Sequence, residues 1–376
     1  MRRFSIPLTG HQSELLGSDL VRQAERPAYW VSDHCYELNG ELVERQLLPA
    51  TQQLWDMYLD FAADAVMSDT ILASLGLPEQ VWDAIQASWK RRDPLTVARF
   101  DLAYDGTSPP KLHECNADVV GHVYEAAMFQ VQWLKDRQPL LRPSARQLDG
   151  LQEALGHSLV AASGGRPIEL LHVGHDPYDR LMLHTIEQAL LACRHDYSFH
   201  ALAELSELEL LHSEGGFYMK DFRWDHLIFD PERVAMLDRL APCMTSPLWS
   251  VVLESKGSLP WLWSRHRGHP NLLPAWFASE HPDPDERWAE KSLFSIRGKG
   301  VSLNTGGDGA GKKSVIGAGI CQQLHLLPRF GTSVSACWAS TGVFIVDGKP
   351  VALSMTESDD PLIGENTDRT VPHILI

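Results

Sequence analysis

Residues 99–118 read RFDLAYDGTSPPKLHECNAD, two alternating runs around an Asp105-Gly106 turn followed by Pro109-Pro110. Glycine supplies the backbone angles a tight return needs, so the pattern predicts a β-hairpin. Strand side chains alternate faces with period two, which puts Arg99 and Asp101 on one face of the first strand and Glu114 and Asn116 on one face of the second. If those faces coincide, one guanidinium, two carboxylates and an amide converge. Carboxylate and amide oxygens suit a hard cation such as Mg²⁺, which keeps some water and is commonly shared with phosphates. An arginine beside them can clamp a phosphate or carboxylate oxygen. The alternative is an ordinary surface hairpin carrying a salt bridge.

The chain has 376 residues, enough for two or three lobes, and twelve tryptophans for a sizeable core or aromatic clefts. Its formal net charge of −16 disfavours nucleic acid and anionic membranes as partners. The six cysteines are scattered, without a CxxC pair, as suits free thiols in a reducing compartment. The start MRRFSIPLTGHQ has no long apolar core, and no apolar run is long enough for a membrane helix. These features give the expectation of a cytoplasmic protein.

Residues 11–100 read as mostly helical, with three- and four-residue apolar spacing over 40–69 and a second helix after Pro78. A helix is expected over 119–136, opening just past the acidic hairpin, where free N–H groups would face anionic oxygens. Residues 166–245 read as a small βαβ-like region. Its strand 167–176 would present His175 and Asp176 at the tip or use them to cap the next helix. The segment 333–355 predicts a hairpin closed by Asp347-Gly348.

The glycine-rich GGDGAGKK at 306–313 superficially matches a phosphate-binding P-loop, but Lys313 stands where the Mg²⁺-binding hydroxyl belongs, and the loop joins two strand-like runs. That reading is rejected, leaving a mobile basic loop or a plain turn. Lys256 and Lys291 end apolar segments and, taken singly, read as surface lysines. No GxSxG, Cys–His or HExxH signature is present.

Together, RFDL…LHECNAD, LESKGSLPWLW, GHPNLLPAWF, the K-x2-F-S-x2-G-x-G-V segment at 291–301, QQLHLLP and LIGENTDRTVPHI resemble successive blocks of the glutathionylspermidine synthase family, and more specifically its stand-alone synthetase-like members. The resemblance implies an α/β (α+β) ATP-grasp-type synthetase fold. Its parts would be a helical N-terminal region with the hairpin (1–165), a small α/β lobe (166–245) and a nucleotide-binding part (246–376) with a lid at 295–313. It implies ATP-dependent ligation of a carboxylate to an amine, both small molecules. It further implies that Asp101, Glu114 and Asn116 hold Mg²⁺, that Arg99 and Arg297 act on the transferred phosphate or activated carboxylate, that Lys256 and Lys291 hold nucleotide, and that Gln322 and Gln323 lie near adenine.

Departures accompany the match. Small hydroxyl residues usual after Asn116-Ala117-Asp118 are replaced by Val119-Val120-Gly121-His122, and an acidic pair by Pro177-Tyr178. The lid arginine is displaced by one position, to Arg297. A C-terminal family arginine aligns with Glu357, with Arg369, Arg297 or Lys312 available to substitute for it. These changes argue against glutathione and spermidine as the specific substrates. They also leave open a nucleotide-binding protein without turnover that acts through a partner protein.

Overall fold

The computed structural model describes residues 1–7, 29–174, 177–211, 216–280, 287–304, 319–331, 336–364 and 367–376. The hairpin forms from Val97–Ala103 and Lys111–Asn116, with Arg99 opposite Asn116, Asp101 opposite Glu114, and an irregularity between Asp101 and Leu102. The return is built on Asp105, whose carboxylate accepts the N–H groups of Thr107 at 2.8 Å and Ser108 at 2.7 Å, while Gly106 takes φ +94°.

Period two separates Arg99 and Asp101 from Phe100 and Leu102, and Glu114 and Asn116 from Cys115, while the irregularity beside Asp101 turns Leu112 to the apolar side. Phe100, Leu102 and Leu112 enter a core with Trp55, Tyr58 and Phe61 of the helix Leu48–Ala65, and the Tyr58 and Phe100 ring centroids lie 5.2 Å apart. Each such side chain stabilises the fold by roughly 1.5–3 kcal/mol. A one-residue slip would send Arg99 and Asp101 into that core, so burial on one face pins the polar register on the other.

The hairpin is one side of a six-stranded antiparallel sheet. Val97–Ala103 pairs with Ala336–Val346, which pairs with Lys349–Ser358 and, beyond it, Arg369–Val371. Asp347 (φ +48°) and Gly348 (φ +75°) close the Ala336–Val346/Lys349–Ser358 hairpin, the double left-handed turn that matches strand twist. A second sheet is wholly parallel, in the order Tyr197–Leu202, Ile168–Val173, Phe217–Lys220 and Met244–Thr245. Leu183, Ile186 and Leu190 of the helix Pro177–Ala192 share a core with Leu155 and Leu159 of Leu151–Ser163 and with Ile168 and Leu170. A third sheet joins Ala275–Phe277, Trp288–Ser292, Val301–Asn304 and Gly319–Gln323.

The helical reading of 40–69 and 79–92 holds, with helical turns continuous over 40–65 and again over 79–91. The stretch 11–100 is less uniform than expected, because His34–Leu38 is a strand between Arg2–Ser5 and His373–Leu375. Residues 11–28 lie outside the described residues. In the middle lobe DHLIFD opens as a short helix, Asp225–Ile228, and the third strand is the preceding Phe217–Lys220. Five of the six cysteines are buried. Among the described residues no helix is long and apolar enough to cross a membrane.

His373 ties the C-terminal strand to its neighbours. Its buried ring donates from Nδ1 to Gln130 Oε1 at 2.9 Å and accepts the Leu148 N–H on Nε2 at 3.3 Å. Both nitrogens are satisfied only by the neutral ring, and burial pulls its pKa down to about 3. The unfolded chain takes up a proton near the ordinary histidine value that the folded chain refuses. This contribution to stability is therefore complete above about pH 6.5 and is lost as pH falls toward 3, at roughly 1.4 kcal/mol per pH unit. Urea unfolding at several pH values should show His373→Gln with a shallower acid slope than the parent, by about one proton.

Candidate active site

A cavity of about 830 Å³ is lined by Arg99, Asp101, Glu114 and Asn116 from the hairpin and by Lys291 and Gln322 from the third sheet. The facing register places the four hairpin groups together. Arg99 grips Asp101 with both fork nitrogens, Nε to Oδ1 at 2.6 Å and Nη2 to Oδ2 at 2.9 Å, and donates from Nη1 to the Gly121 carbonyl. Asn116 Nδ2 donates to Asp101 Oδ2 at 3.2 Å.

The two lysines that look like surface residues one at a time are buried, at 6% and 7% exposure. Lys256 Nζ lies 3.1 Å from Glu114 Oε2 and donates to the Ser295 carbonyl at 2.8 Å. Lys291 Nζ donates to the His113 carbonyl and to Gln322 Oε1, each at 2.8 Å, and Gln322 Nε2 donates to the Leu112 carbonyl at 3.0 Å. Gln323 borders the same cavity but is exposed.

Burial strains these charges, and the partners decide which form survives. Burial raises Asp101, aided by the like charge of Glu114, against the Arg99 fork. Burial also pushes Glu114 upward, but Lys256 and Lys291 outweigh it and bring Glu114 down to about 2. Lys291 is pulled by burial to about 8 despite the attraction of Glu114. Two opposed carboxylates and an amide form an oxygen set whose mutual repulsion a divalent cation would relieve, so the donors fit Mg²⁺. Among the described residues no cluster of three His, Cys, Asp or Glu side chains is suited to a metal, so this mixed set is the candidate.

Arg297 borders the cavity from a turn in which it has φ +52°. Gly298 follows at φ +71°, and a Cβ there would come within 2.7 Å of the Ile363 carbonyl, so this turn rests on the 361–364 segment. The remainder of the expected lid, 305–313 with Lys312, lies outside the described residues, as do His175 and Asp176. The helix following the hairpin does open at the cavity, through Gly121 and His122, but its first π-helical turn carries the buried Glu125. That carboxylate puts a negative charge in the first turn, where it complements the helix dipole.

Glu357 does not face the cavity. Its strand neighbour Thr356 lines it, and alternation turns Glu357 to the opposite side, fully buried. There it accepts both fork nitrogens of Arg3 at 2.7 and 2.9 Å and the Tyr36 hydroxyl at 2.7 Å, with Arg369 Nη2 at 3.4 Å. The period of the strand thus keeps this acid, which aligns with a family arginine, out of the cavity.

Single-residue reading also misses the support beneath the site. Asp118 receives Lys220 Nζ on Oδ1 and the Trp224 N–H on Oδ2 at 2.6 Å, and its carbonyl accepts the Ser246 hydroxyl at 2.5 Å. Glu254 accepts the Ala117 N–H at 2.7 Å and Arg223 Nη1 at 2.8 Å. The available signal is the charge-dense KDFRWD between two apolar runs, together with an acid two residues before Lys256.

Gly342 sits opposite Asp101, and a Cβ there would meet Ser354 Oγ at 2.4 Å and Arg99 Cδ at 3.0 Å. Gly342→Ala should displace the Arg99 fork from Asp101 while leaving the sheet intact. Circular dichroism should be unchanged, and nucleotide binding by calorimetry should weaken by about tenfold, the loss of one charge-assisted contact.

The family described as "Glutathionylspermidine synthase preATP-grasp" matches residues 7–376. A Haemophilus influenzae protein provisionally named as an acid–amine ligase is 25% identical over 371 residues, 93% of this chain and 91% of its own length. The Escherichia coli bifunctional glutathionylspermidine synthetase/amidase is 25% identical over 356 residues, 82% of this chain but only 55% of its own length. The chain thus spans about half of that bifunctional relative. A solved glutathione synthetase-like effector from Globodera pallida in its apo form shares the fold, with a TM-score of 0.56 over 97% of this chain and 98% of its own at 13% identity. With a match over nearly its whole length and an α/β architecture of several sheets, the chain belongs to the glutathionylspermidine synthase family.

Proposed function

We propose that the protein is an ATP- and Mg²⁺-dependent carboxylate–amine ligase. The observation that carries this reading is the opposition of Asp101, Glu114 and Asn116 on one face, with Arg99 and Lys291 lining the same cavity and Lys256 paired to Glu114. A carboxylate is a poor electrophile; attack of its oxygen on the γ-phosphate of ATP makes an acyl-phosphate, and an amine then displaces phosphate. Bound by Asp101, Glu114 and Asn116, Mg²⁺ would neutralise charge on the phosphoryl oxygens. Lys291, which lines the cavity, and Lys256, buried behind Glu114, would hold the nucleotide phosphates, both already desolvated. Gln322 and Gln323 would border the adenine, and Arg99 would release one side of its fork to the transferred group. Arg297, with the lid turn, would close over that group and exclude water.

The relatives named for glutathionylspermidine and trypanothione synthesis support the reaction class. Val119, Gly121 and His122 line the cavity where the family resemblance leads one to expect hydroxyl residues, which favours substrates other than glutathione and spermidine. Small molecules, not nucleic acid or membrane, are the proposed partners, and the cytoplasm the proposed compartment. Glu357, turned away from the cavity, lends no support to a nucleotide-binding protein without turnover.

Calorimetry should find ATP binding that is strengthened by Mg²⁺, and Asp101→Asn should remove at least about tenfold of that strengthening, one charged ligand's worth. ADP release should then depend on both members of a carboxylate–amine pair. Binding without release under any pair would favour the non-turnover reading. No ATP binding would overturn the proposal.

A further inference from the structure

Parallel pairing carries Ile168–Val173 and Phe217–Lys220 side by side, in register to Leu171 opposite Lys220. One residue further on, at the carboxyl ends of both strands, His172 and Asp221 meet. His172 Nδ1 and Asp221 Oδ2 are 2.5 Å apart, and Asp221 Oδ1 accepts the Val173 N–H at 3.1 Å. The acceptor beside Nδ1 is a carboxylate, which fixes the imidazole tautomer with its hydrogen on Nδ1. Asp221 is 5% exposed and lines the cavity that holds the acidic hairpin face. Burial raises its pKa against the His172 and Val173 hydrogen bonds. Two residues on, Arg223 also lines the cavity, but its charge is taken by Asp225, at 2.9 Å, and by Glu254, at 2.8 Å. The carboxyl ends of parallel strands are where such sheets present groups to ligands.

We propose that Asp221, held by His172, receives the ammonium of the amine substrate and accepts its proton. The inference rests on the ligase reading. An alkylammonium has no lone pair at neutral pH, so the second half of the reaction needs a proton acceptor. The ammonium gives one proton to the Asp221 carboxylate. The freed lone pair forms the C–N bond at the acyl carbon, and the C–O bond to phosphate breaks with its electron pair leaving on the phosphate. The remaining excess proton on nitrogen departs with that phosphate. His172 is a positioning residue: it orients the carboxylate and does not touch the amine.

Hydroxylamine separates this role from the rest of catalysis, because it is largely unprotonated at neutral pH and attacks acyl-phosphates without help. The full-length parent, Asp221→Asn and His172→Gln are given MgATP and a panel of carboxylates that includes glutathione and the amino acids. The nucleophile is hydroxylamine or a panel of ammonium, spermidine, putrescine and amino-acid amines. Asp221→Asn should lose amide formation by about 100-fold or more, the usual worth of a general base, while hydroxamate formation stays within about threefold of the parent. His172→Gln should lower kcat for amide formation by about tenfold with little change in the KM for ATP. Asp221→Glu should recover part of the amide rate. Retained hydroxamate also reports that each variant is folded.

Amide formation by Asp221→Asn at the parental rate overturns the inference and leaves the ligase reading intact. Parallel loss of hydroxamate and amide overturns it in favour of a structural role. Hydroxamate without amide from the parent across the amine panel overturns it as well. Absence of hydroxamate from the parent with every carboxylate is the failure of the ligase reading itself.

Discussion

Asp118 is the group on which the placement of everything else depends. It is almost wholly buried, as is the Lys220 ammonium that it holds, and its second oxygen and its own carbonyl are also bonded. A buried ion pair gains little over an apolar replacement, but losing one partner leaves an uncompensated charge, at a cost of about 3–5 kcal/mol. The pair therefore acts as a constraint on geometry. It joins the turn after Asn116 to the end of the strand Phe217–Lys220. The adjacent Glu254 repeats the device, with the Ala117 and Asp118 N–H groups on one oxygen and Arg223 on the other. The antiparallel hairpin and the parallel sheet cannot shift relative to each other without breaking both.

On that fixed junction the cavity keeps charges that burial opposes. Against burial, Glu114 and then Asp101 favour the Lys291 cation, and Lys256, Lys291 and Arg99 favour the Glu114 anion. Asp101 is raised, even in the grip of a bidentate arginine. Such a set carries its electrostatic cost before any ligand arrives. A cation between the carboxylates and a polyphosphate against the lysines would each lower that cost, which is the physical content of preorganisation.

Much of this was legible in the sequence where a local rule governs. Period two put Arg99, Asp101, Glu114 and Asn116 on one face, because the alternate residues Phe100, Leu102 and Cys115 had to be buried, while Leu112 joins them only through the irregularity between Asp101 and Leu102. Asp347-Gly348 announced its turn, and the 40–65 helix its apolar stripe. What escaped depends on partners far along the chain. Lys256 and Lys291 read as solvated because nothing nearby in sequence explains their burial; the partner that does is Glu114, on another element. Glu357, noted only for its alignment with a family arginine, turns away from the cavity because Thr356 takes that face. His172 and Asp221 are 49 residues apart, and only the parallel register makes them a pair.

On the proposed ligase reading, the distribution of charge around the cavity suits the demands of two half-reactions. Activating a carboxylate with ATP would gather negative charge on phosphoryl oxygens, and Arg99 on the hairpin, with Lys256 and Lys291 packed about Glu114, would be the cations to meet it. Delivering an amine brings a positive nitrogen that must lose a proton, and a bare arginine beside its entry would repel it. Arg223 stands there, two residues from Asp221, yet Asp225 and Glu254 together carry two negative charges against its one. Its guanidinium is thereby spent on structure, holding the turn after Asn116, and the field it presents to the cavity is reduced. The same salt-bridge network that locks the two sheets together thus keeps the Arg223 charge from offsetting the Asp221 carboxylate, which on the proposed reading receives the ammonium.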